Sequence, residues 1–224
     1  MSATGVVARR LSGRPAAPLW MGCGALALLW VSLLGMVLAQ EGLTEEDAPV
    51  LGWLVRHRSG ALTGVFEAMS STALDGGAAV LAAALVVFLA VRARSVRPVL
   101  VLGAAVAGAV LLAELVKGAV GRARPATATM LGAPESGPGF PSAHTLVFTA
   151  LAGAVALVVW RTTSSGGVRT VAVAVAVLTS VLMGASRLYL GDHWFTDVLS
   201  SYALAGVLLT AVAALVRPAR VDRR

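Results

Sequence analysis

Residues 186–197 read SRLYLGDHWFTD, a polar stretch that separates two long apolar segments. His193 precedes Asp197 by four residues, so the two side chains share a face if a helix begins near His193. A carboxylate in that position can orient an imidazole, and an oriented, neutral imidazole is a nucleophile or a general base. Arg187, six residues before His193, adds a permanent cation suited to an anionic group. The stretch therefore predicts phosphoryl chemistry.

The chain around this stretch has the composition of an integral membrane protein. Of its 224 residues, 58% are hydrophobic and 13% charged, and the mean hydropathy is +0.84, outside the range of ordinary soluble domains. The length suits a single membrane domain, residues 1–224, because each spanning helix needs about 20 apolar residues. The net charge of +7 is spread over short clusters between apolar segments, which argues against nucleic-acid binding.

Six apolar segments predict an all-α bundle of six transmembrane helices. They cover approximately residues 18–39, 76–91, 98–116, 145–160, 170–185 and 198–216. The polar connection 40–75 follows the first segment. Thr44 and Asp47 have the spacing of a helix cap there, and the apolar residues after them predict a short helix on the membrane surface.

The distribution of basic residues predicts the topology. Twelve of the 18 Lys and Arg fall at the termini and in two short turns on one side: Arg9, Arg10, Arg14, Arg92, Arg94, Arg97, Arg161, Arg169, Arg217, Arg220, Arg223 and Arg224. The positive-inside rule makes this side cytoplasmic. Both termini are then cytoplasmic, and the polar stretches 40–75, 117–141 and 186–197 lie on the extracytoplasmic side of the cell membrane.

Lys117, Arg122 and Arg124 lie within eight residues at the outer end of the third segment. Clustered cations are disfavoured on that side unless an anionic group meets them. Glu114, three residues before Lys117 on the same helix, either pairs with Lys117 or extends to the membrane interface.

Residues 141–144 read PSAH and stand just before the fourth apolar segment. Ser142 and the backbone amides after it can form an anion-binding helix N-terminus, with His144 in the first turn.

Together, the three polar stretches resemble the tripartite signature of the type 2 phosphatidic acid phosphatase (PAP2) superfamily. The matching positions all lie within residues 117–197. In the first motif, six residues separate Lys117 from Arg124 and Pro125, and the second motif is Pro141 to His144. In the third, five residues separate Ser186 and Arg187 from His193, and three more separate His193 from Asp197. The superfamily includes membrane lipid phosphate phosphatases and shares its helical core with the vanadium haloperoxidases. The implied fold is a six-helix membrane bundle with that core. Ala143 stands where the commonest family pattern has glycine, and we expect the added methyl group to be tolerated.

The resemblance implies three catalytic roles. His193 attacks phosphorus and forms a phosphohistidine, while Asp197 holds its other ring nitrogen. His144 protonates the departing oxygen and then activates water.

The resemblance also implies how the phosphate is held. Lys117, Arg124 and Arg187 bind the nonbridging oxygens, and Ser142 adds a hydrogen bond. Arg122 matches no signature position and is expected as an auxiliary phosphate or headgroup contact. No metal and no other cofactor is implied.

The predicted function is a metal-independent phosphatase that hydrolyses a lipid phosphate or diphosphate at the outer face of the membrane. By resemblance, the substrate is a polyprenyl diphosphate such as undecaprenyl diphosphate, phosphatidic acid or phosphatidylglycerol phosphate. The predicted partners are this lipid and the bilayer, and the sequence leaves the oligomeric state open. The alternatives are a lipid phosphotransferase that uses the same site, and a non-catalytic binder or transporter of anionic lipid. The sequence does not decide whether residues 41–75 gate the site.

Overall fold

The computed structural model describes residues 17–70, 72–132 and 134–215. These ranges contain eight α-helices and no strand, so the predicted all-α class is confirmed for them. The helices are α1 (Ala17–Ala39), α2 (Asp47–Arg56), α3 (Gly60–Ser70), α4 (Thr72–Arg92), α5 (Arg97–Val120), α6 (Ala143–Thr162), α7 (Gly166–Leu190) and α8 (Phe195–Leu215). Short 3-10 segments occur at Gly42–Glu46 and Thr127–Thr129.

Five of the described helices are long and apolar enough to cross a membrane. They are Leu19–Ala39, Arg97–Val120, Ala143–Thr162, Gly166–Leu190 and Phe195–Leu215, and they correspond to five of the six predicted segments. The remaining segment, predicted at 76–91, falls in α4, whose apolar stretch Val80–Arg92 is shorter. The terminal basic residues used to predict the topology lie outside the described residues: Arg9, Arg10, Arg14, Arg217, Arg220, Arg223 and Arg224.

The connection between α1 and α4 differs from the prediction. The predicted short helix is present as α2, but Asp47 is its first residue, and the preceding Glu46 makes no side-chain cap hydrogen bond. Thr44 Oγ1 donates instead to the Glu41 carbonyl at 2.9 Å. The predicted Thr44–Asp47 cap is therefore wrong, and the Asp47 carboxylate is available for contacts elsewhere.

The core lies between α5, α6 and α8, where small side chains meet. One buried cluster comprises Ala109, Ala113, Leu146, Ala150, Leu204 and Ala205, with Trp30 of α1 packed against it. A second comprises Val101, Ala105, Ala154, Val158 and Val212. Alanine at these contacts lets the helix backbones approach closely, and such close packing stabilises helix association inside a bilayer.

Four helix boundaries carry the polar residues to one end of this core. Helix α5 ends at Gly121 (φ +63°) and α7 at Gly191 (φ +85°), both in the left-handed conformation that glycine favours. Helices α6 and α8 begin at the same end of the bundle. The loop between α5 and α6 is tied there by two backbone hydrogen bonds, Leu131 N to Leu190 O and Gly139 N to Arg122 O, each 2.8 Å.

Candidate active site

His193 and Asp197 form a buried pair between α7 and α8. Their side chains are 1% and 0% exposed, and His193 Nδ1 lies 3.4 Å from Asp197 Oδ2. Helix α8 begins at Phe195, so a turn preceding the helix joins the pair. Asp197 stabilises that turn, because its Oδ2 accepts a hydrogen bond from Trp194 N at 3.0 Å. The predicted proximity of histidine and carboxylate is present in the structure.

The contacts of His193 define its tautomer. The Nε2 atom lies 3.1 Å from Arg124 Nη1, and since a guanidinium can only donate, Nε2 accepts. This contact favours the tautomer with the proton on Nδ1, which faces Asp197 Oδ2 at 3.4 Å without forming a hydrogen bond among the described residues. Burial lowers the pKa of His193, against the opposing effect of Asp197, so the ring is neutral near pH 7.

Two arginines approach the accepting side of this imidazole. Arg124 is fixed by the Gly137 carbonyl (Nε, 3.1 Å) and the Asp192 carbonyl (Nη1, 2.8 Å). Arg187 Nη2 lies 2.8 Å from Asp192 Oδ2, so this carboxylate helps to hold Arg187 in place. Burial raises the pKa of Asp192, and Arg187 opposes that effect. Arg187 Nε is buried and finds no hydrogen-bond acceptor in the described part of the chain.

Lys117 is the third cation of this group. It lies in the last turn of α5 and interacts electrostatically with both Arg124 and Arg187. Glu114 is exposed on the same helix and also interacts with Lys117 electrostatically. Among the described residues no Glu114–Lys117 ion pair is present.

Ser142 and His144 open helix α6 as predicted. Ser142 is fully buried, and its hydroxyl caps the helix, accepting from Thr145 N at 3.4 Å and lying 3.0 Å from Thr145 Oγ1. Ser201 of α8 donates to the Ser142 carbonyl at 3.1 Å, which ties the start of α6 to the helix that carries Asp197. The His144 side chain, 31% exposed, is in the first turn of α6.

Glu135, which the sequence reasoning missed, lies at the centre of these groups. Its Oε2 is 2.8 Å from Arg124 Nη1, and its Oε1 contacts Arg187 Nη2. His144 Nδ1 lies 3.7 Å from Oε1, and His193 Nε2 lies 4.0 Å from Oε2. Burial acts to raise the pKa of Glu135, but Arg187 and Arg124 together lower it below its ordinary value. The carboxylate is therefore anionic at neutral pH.

Arg122 differs from its predicted role as an auxiliary phosphate contact. Its Nη2 lies 2.6 Å from Asp47 Oδ2, and its Nη1 lies 2.5 Å from Asp197 Oδ1. Asp47 also accepts from Thr196, through the backbone N and through Oγ1, both at 2.8 Å. Both ends of the guanidinium are thus engaged by carboxylates, and Arg122 links α2 to the start of α8.

Within residues 17–70, 72–132 and 134–215, no three His, Cys, Asp or Glu side chains are grouped so that they could hold a metal ion.

The fold and the site together define a multi-helix membrane protein with a histidine and a cation cluster at one end of its bundle. The family model of the PAP2 superfamily matches residues 98–221. Since this match covers more than half of the chain, the protein belongs to the PAP2 superfamily, and it is an enzyme of the phosphatase class.

A solved structure has a similar fold. It is described as the first transmembrane PAP2 type phosphatidylglycerolphosphate phosphatase from Bacillus subtilis, and it aligns with a TM-score of 0.77 over 90% of this chain and 98% of that chain. The sequence identity is 21%, so this likeness concerns the fold. No match was found among curated proteins.

Proposed function

We propose that the protein hydrolyses a lipid phosphate or diphosphate through a phosphohistidine, without a metal, on the extracytoplasmic face of the membrane. The orientation of His193 carries this proposal. Its protonated Nδ1 faces Asp197, and its accepting Nε2 faces the arginines. This arrangement suits a nucleophile, because the Nε2 lone pair points toward an anion-binding site and the carboxylate can stabilise the positive charge formed on attack.

In the first step, His193 Nε2 bonds to phosphorus and the bond from phosphorus to the leaving oxygen breaks. His144 donates a proton to that oxygen. His144 lies near one oxygen of the Glu135 carboxylate and His193 near the other. An anion in the position of this carboxylate therefore lies between the nucleophile, His193, and the general acid, His144. Lys117, Arg124 and Arg187 stabilise the nonbridging oxygens, and the N-terminus of α6 adds backbone donors.

In the second step, His144 removes a proton from water, and the water oxygen bonds to phosphorus as the bond from phosphorus to Nε2 breaks. Inorganic phosphate and neutral His193 are the products. The same chemistry with an alcohol in place of water is phosphotransfer, so the acceptor decides between hydrolase and transferase.

An apolar groove between α5 and α6 supports an amphiphilic substrate. Its volume is about 560 Å³, and it is lined by Val99, Leu102, Gly103, Val106, Ala143, His144, Val147, Phe148 and Leu151. Because His144 is part of both the groove and the cation site, a lipid tail can lie in the groove while its phosphate meets the arginines. The name of the similar Bacillus subtilis protein makes phosphatidylglycerol phosphate one candidate, beside phosphatidic acid and a polyprenyl diphosphate.

We further infer that α4 is the sixth span of one domain covering residues 1–224. Its 21 residues extend about 31 Å at 1.5 Å per residue, enough for the hydrocarbon core of a bilayer. It packs beside α5 and α6. With six spans and cytoplasmic termini, the site lies on the extracytoplasmic side, as the positive-inside rule predicts.

The test is phosphate release by the detergent-purified protein, with chelator present, from phosphatidic acid, phosphatidylglycerol phosphate, a polyprenyl diphosphate and a water-soluble ester. We expect turnover of at least one lipid, and its loss in His193→Ala. Lipid binding without turnover would indicate a binder. Formation of a phosphorylated alcohol on addition of an alcohol acceptor, without release of inorganic phosphate, would indicate a transferase.

A further inference from the structure

Glu135 occupies the position that the proposed mechanism assigns to the substrate phosphate. One carboxylate oxygen meets Arg124 at 2.8 Å, and the other meets Arg187. It also interacts with Lys117, and both catalytic histidines lie within 4.0 Å of it. All five groups assigned to phosphate binding and transfer in this cluster therefore interact with one side chain of the protein itself, Lys117 through its charge.

A phosphate group fits these donors better than the carboxylate does. Arg187 Nε remains without an acceptor among the described residues, although the side chain is only 3% exposed. A carboxylate offers two oxygens, whereas a phosphate monoester offers three and carries up to two negative charges near neutral pH. A substrate phosphate can therefore replace Glu135 and satisfy the donor that Glu135 leaves unpaired.

The Glu135 side chain is also placed so that it can leave. It is 27% exposed, in contrast to 7% for Arg124 and 3% for Arg187. The cations are fixed by separate partners, since Arg124 is held by two backbone carbonyls and Arg187 by Asp192. Withdrawal of the carboxylate therefore leaves an ordered binding site.

We propose that Glu135 is an internal competitor of phosphate, an inference that rests on the proposed function. Its carboxylate fills the phosphate position in the empty enzyme, must be displaced by every phosphate that binds, and returns when the product leaves.

This competition weakens the binding of every phosphate by the same factor, so the preference for a lipid comes from its tail. Any phosphate that enters must displace Glu135 from the arginines, so the same ion pairs are broken in each case. A lipid phosphate is held beside the site by its tail, whereas inorganic phosphate has no such anchor. Return of Glu135 to the arginines would also help to expel inorganic phosphate after each turnover.

A different role for Glu135 would be to orient His144, as Asp197 orients His193. The 3.7 Å separation of His144 Nδ1 from Oε1 exceeds hydrogen-bond length, and the shorter contacts of Glu135 are those with the arginines. An orienting role predicts a lower kcat in Glu135→Gln with unchanged phosphate affinity. Competition predicts tighter phosphate binding.

The test is titration calorimetry of the purified full-length protein with inorganic phosphate at pH 7.5 and fixed ionic strength. Gln keeps the size of the side chain and removes its charge, so Glu135→Gln is expected to lower the phosphate Kd about tenfold or more. Glu45→Gln, a change at an exposed carboxylate of the α1–α2 connection, is the control and should match wild type. Product inhibition by phosphate should strengthen in parallel in Glu135→Gln.

Glu135→Asp keeps the charge but is one methylene shorter, so it cannot reach both arginines as well. Its Kd should lie between those of wild type and Glu135→Gln, which gives a second measurement if the Gln variant is unstable. A Kd within about twofold of wild type in folded variants, or weaker phosphate binding, would overturn the inference and leave the proposed function intact. Absence of phosphate binding in wild type and in both variants would overturn the proposed function and this inference with it.

Discussion

Arg122 Nη1 lies 2.5 Å from Asp197 Oδ1, on the opposite oxygen from the one that faces His193. The same guanidinium reaches Asp47 Oδ2 at 2.6 Å. Asp47 is the first residue of α2, so a residue far from the signature stretches is linked through Arg122 to the carboxylate that faces His193. In the described part of the chain Asp47 forms no ion pair with Lys117, Arg124 or Arg187, so its link to the His193–Asp197 pair runs through Arg122 and Thr196.

Removing the Asp47 charge should therefore reduce turnover without weakening substrate binding. Asp47→Asn keeps an acceptor for Thr196 but loses the charged hydrogen bond to Arg122, which contributes about 2 kcal/mol when buried. We expect kcat to fall about 30-fold if that whole loss reaches the transition state. We also expect KM to stay within about twofold and the melting temperature to decrease. Steady-state kinetics and thermal unfolding measure these changes. Glu45→Gln should leave all three unchanged, and a rise in KM with unaltered kcat would contradict the positioning role.

The pH dependence of kcat/KM should report the neutral state of His193. Burial lowers the pKa of this ring, so the nucleophile is lost only as pH falls below the ordinary histidine value of about 6.5. Asp197 opposes this lowering. Asp197→Asn should therefore move the acid limb to still lower pH while reducing kcat.

The pH profiles of wild type and Asp197→Asn should be compared with the same substrate. Ionisation of the substrate phosphate then affects both profiles equally, so a difference between them reports on the enzyme. An acid limb that moves to higher pH in Asp197→Asn would show that the limb does not belong to His193.

His144→Ala should be impaired to different extents in the two proposed steps. With a lipid alkyl phosphate, the leaving oxygen needs a proton, and loss of general acid catalysis should reduce turnover by about 100-fold or more. With an aryl phosphate whose phenol is acidic, the first step needs little assistance, but hydrolysis of the phosphohistidine remains slow. Rapid-quench kinetics should show a burst of about one phenol per enzyme. An equal loss of turnover with both substrates, without a burst of phenol, would rule out this division of roles.

Gly191 should be indispensable for the turn that carries His193. Its φ is +85°, and a Cβ at this position would overlap the carbonyl oxygen of Thr129, whose carbon would be only 2.9 Å away. Gly132 has a similar φ of +79° but open space around the position of a Cβ. Gly132→Ala should therefore reveal the conformational cost alone, about 1 kcal/mol.

Gly191→Ala should destabilise more than Gly132→Ala and should also abolish activity, as measured by thermal unfolding and phosphate release. Similar melting temperatures for the two variants would contradict the overlap with Thr129.

The predictable parts of the site were those encoded locally. His193 and Asp197 are four residues apart, and Ser142 directly precedes a helix, so spacing and capping preferences were sufficient to predict these positions. The helices of the bundle were predictable for a similar reason, since long apolar segments form helices in a bilayer. Helix α3 was missed because its 11 residues are too few to span a membrane and it stands in a connection read as polar.

Asp47 and Glu135 were not predictable in the same way, because their partners are distant in sequence. Asp47 meets Arg122 across 75 residues and Thr196 across 149, and its local pattern suggested a helix cap. Glu135 had one signal, since it is the only acidic residue between Glu114 and Asp192. A lone carboxylate in a loop between two cationic stretches is a candidate for pairing with them, but only the folded chain shows which cations it meets.

The most direct test of the central claim is transfer of a radioactive phosphoryl group from a labelled lipid phosphate to the protein, with rapid acid-free denaturation and peptide mapping. We predict base-stable, acid-labile label on His193 and none in His193→Ala. Phosphate release that persists in His193→Ala, or label on a different residue, would contradict the proposed mechanism.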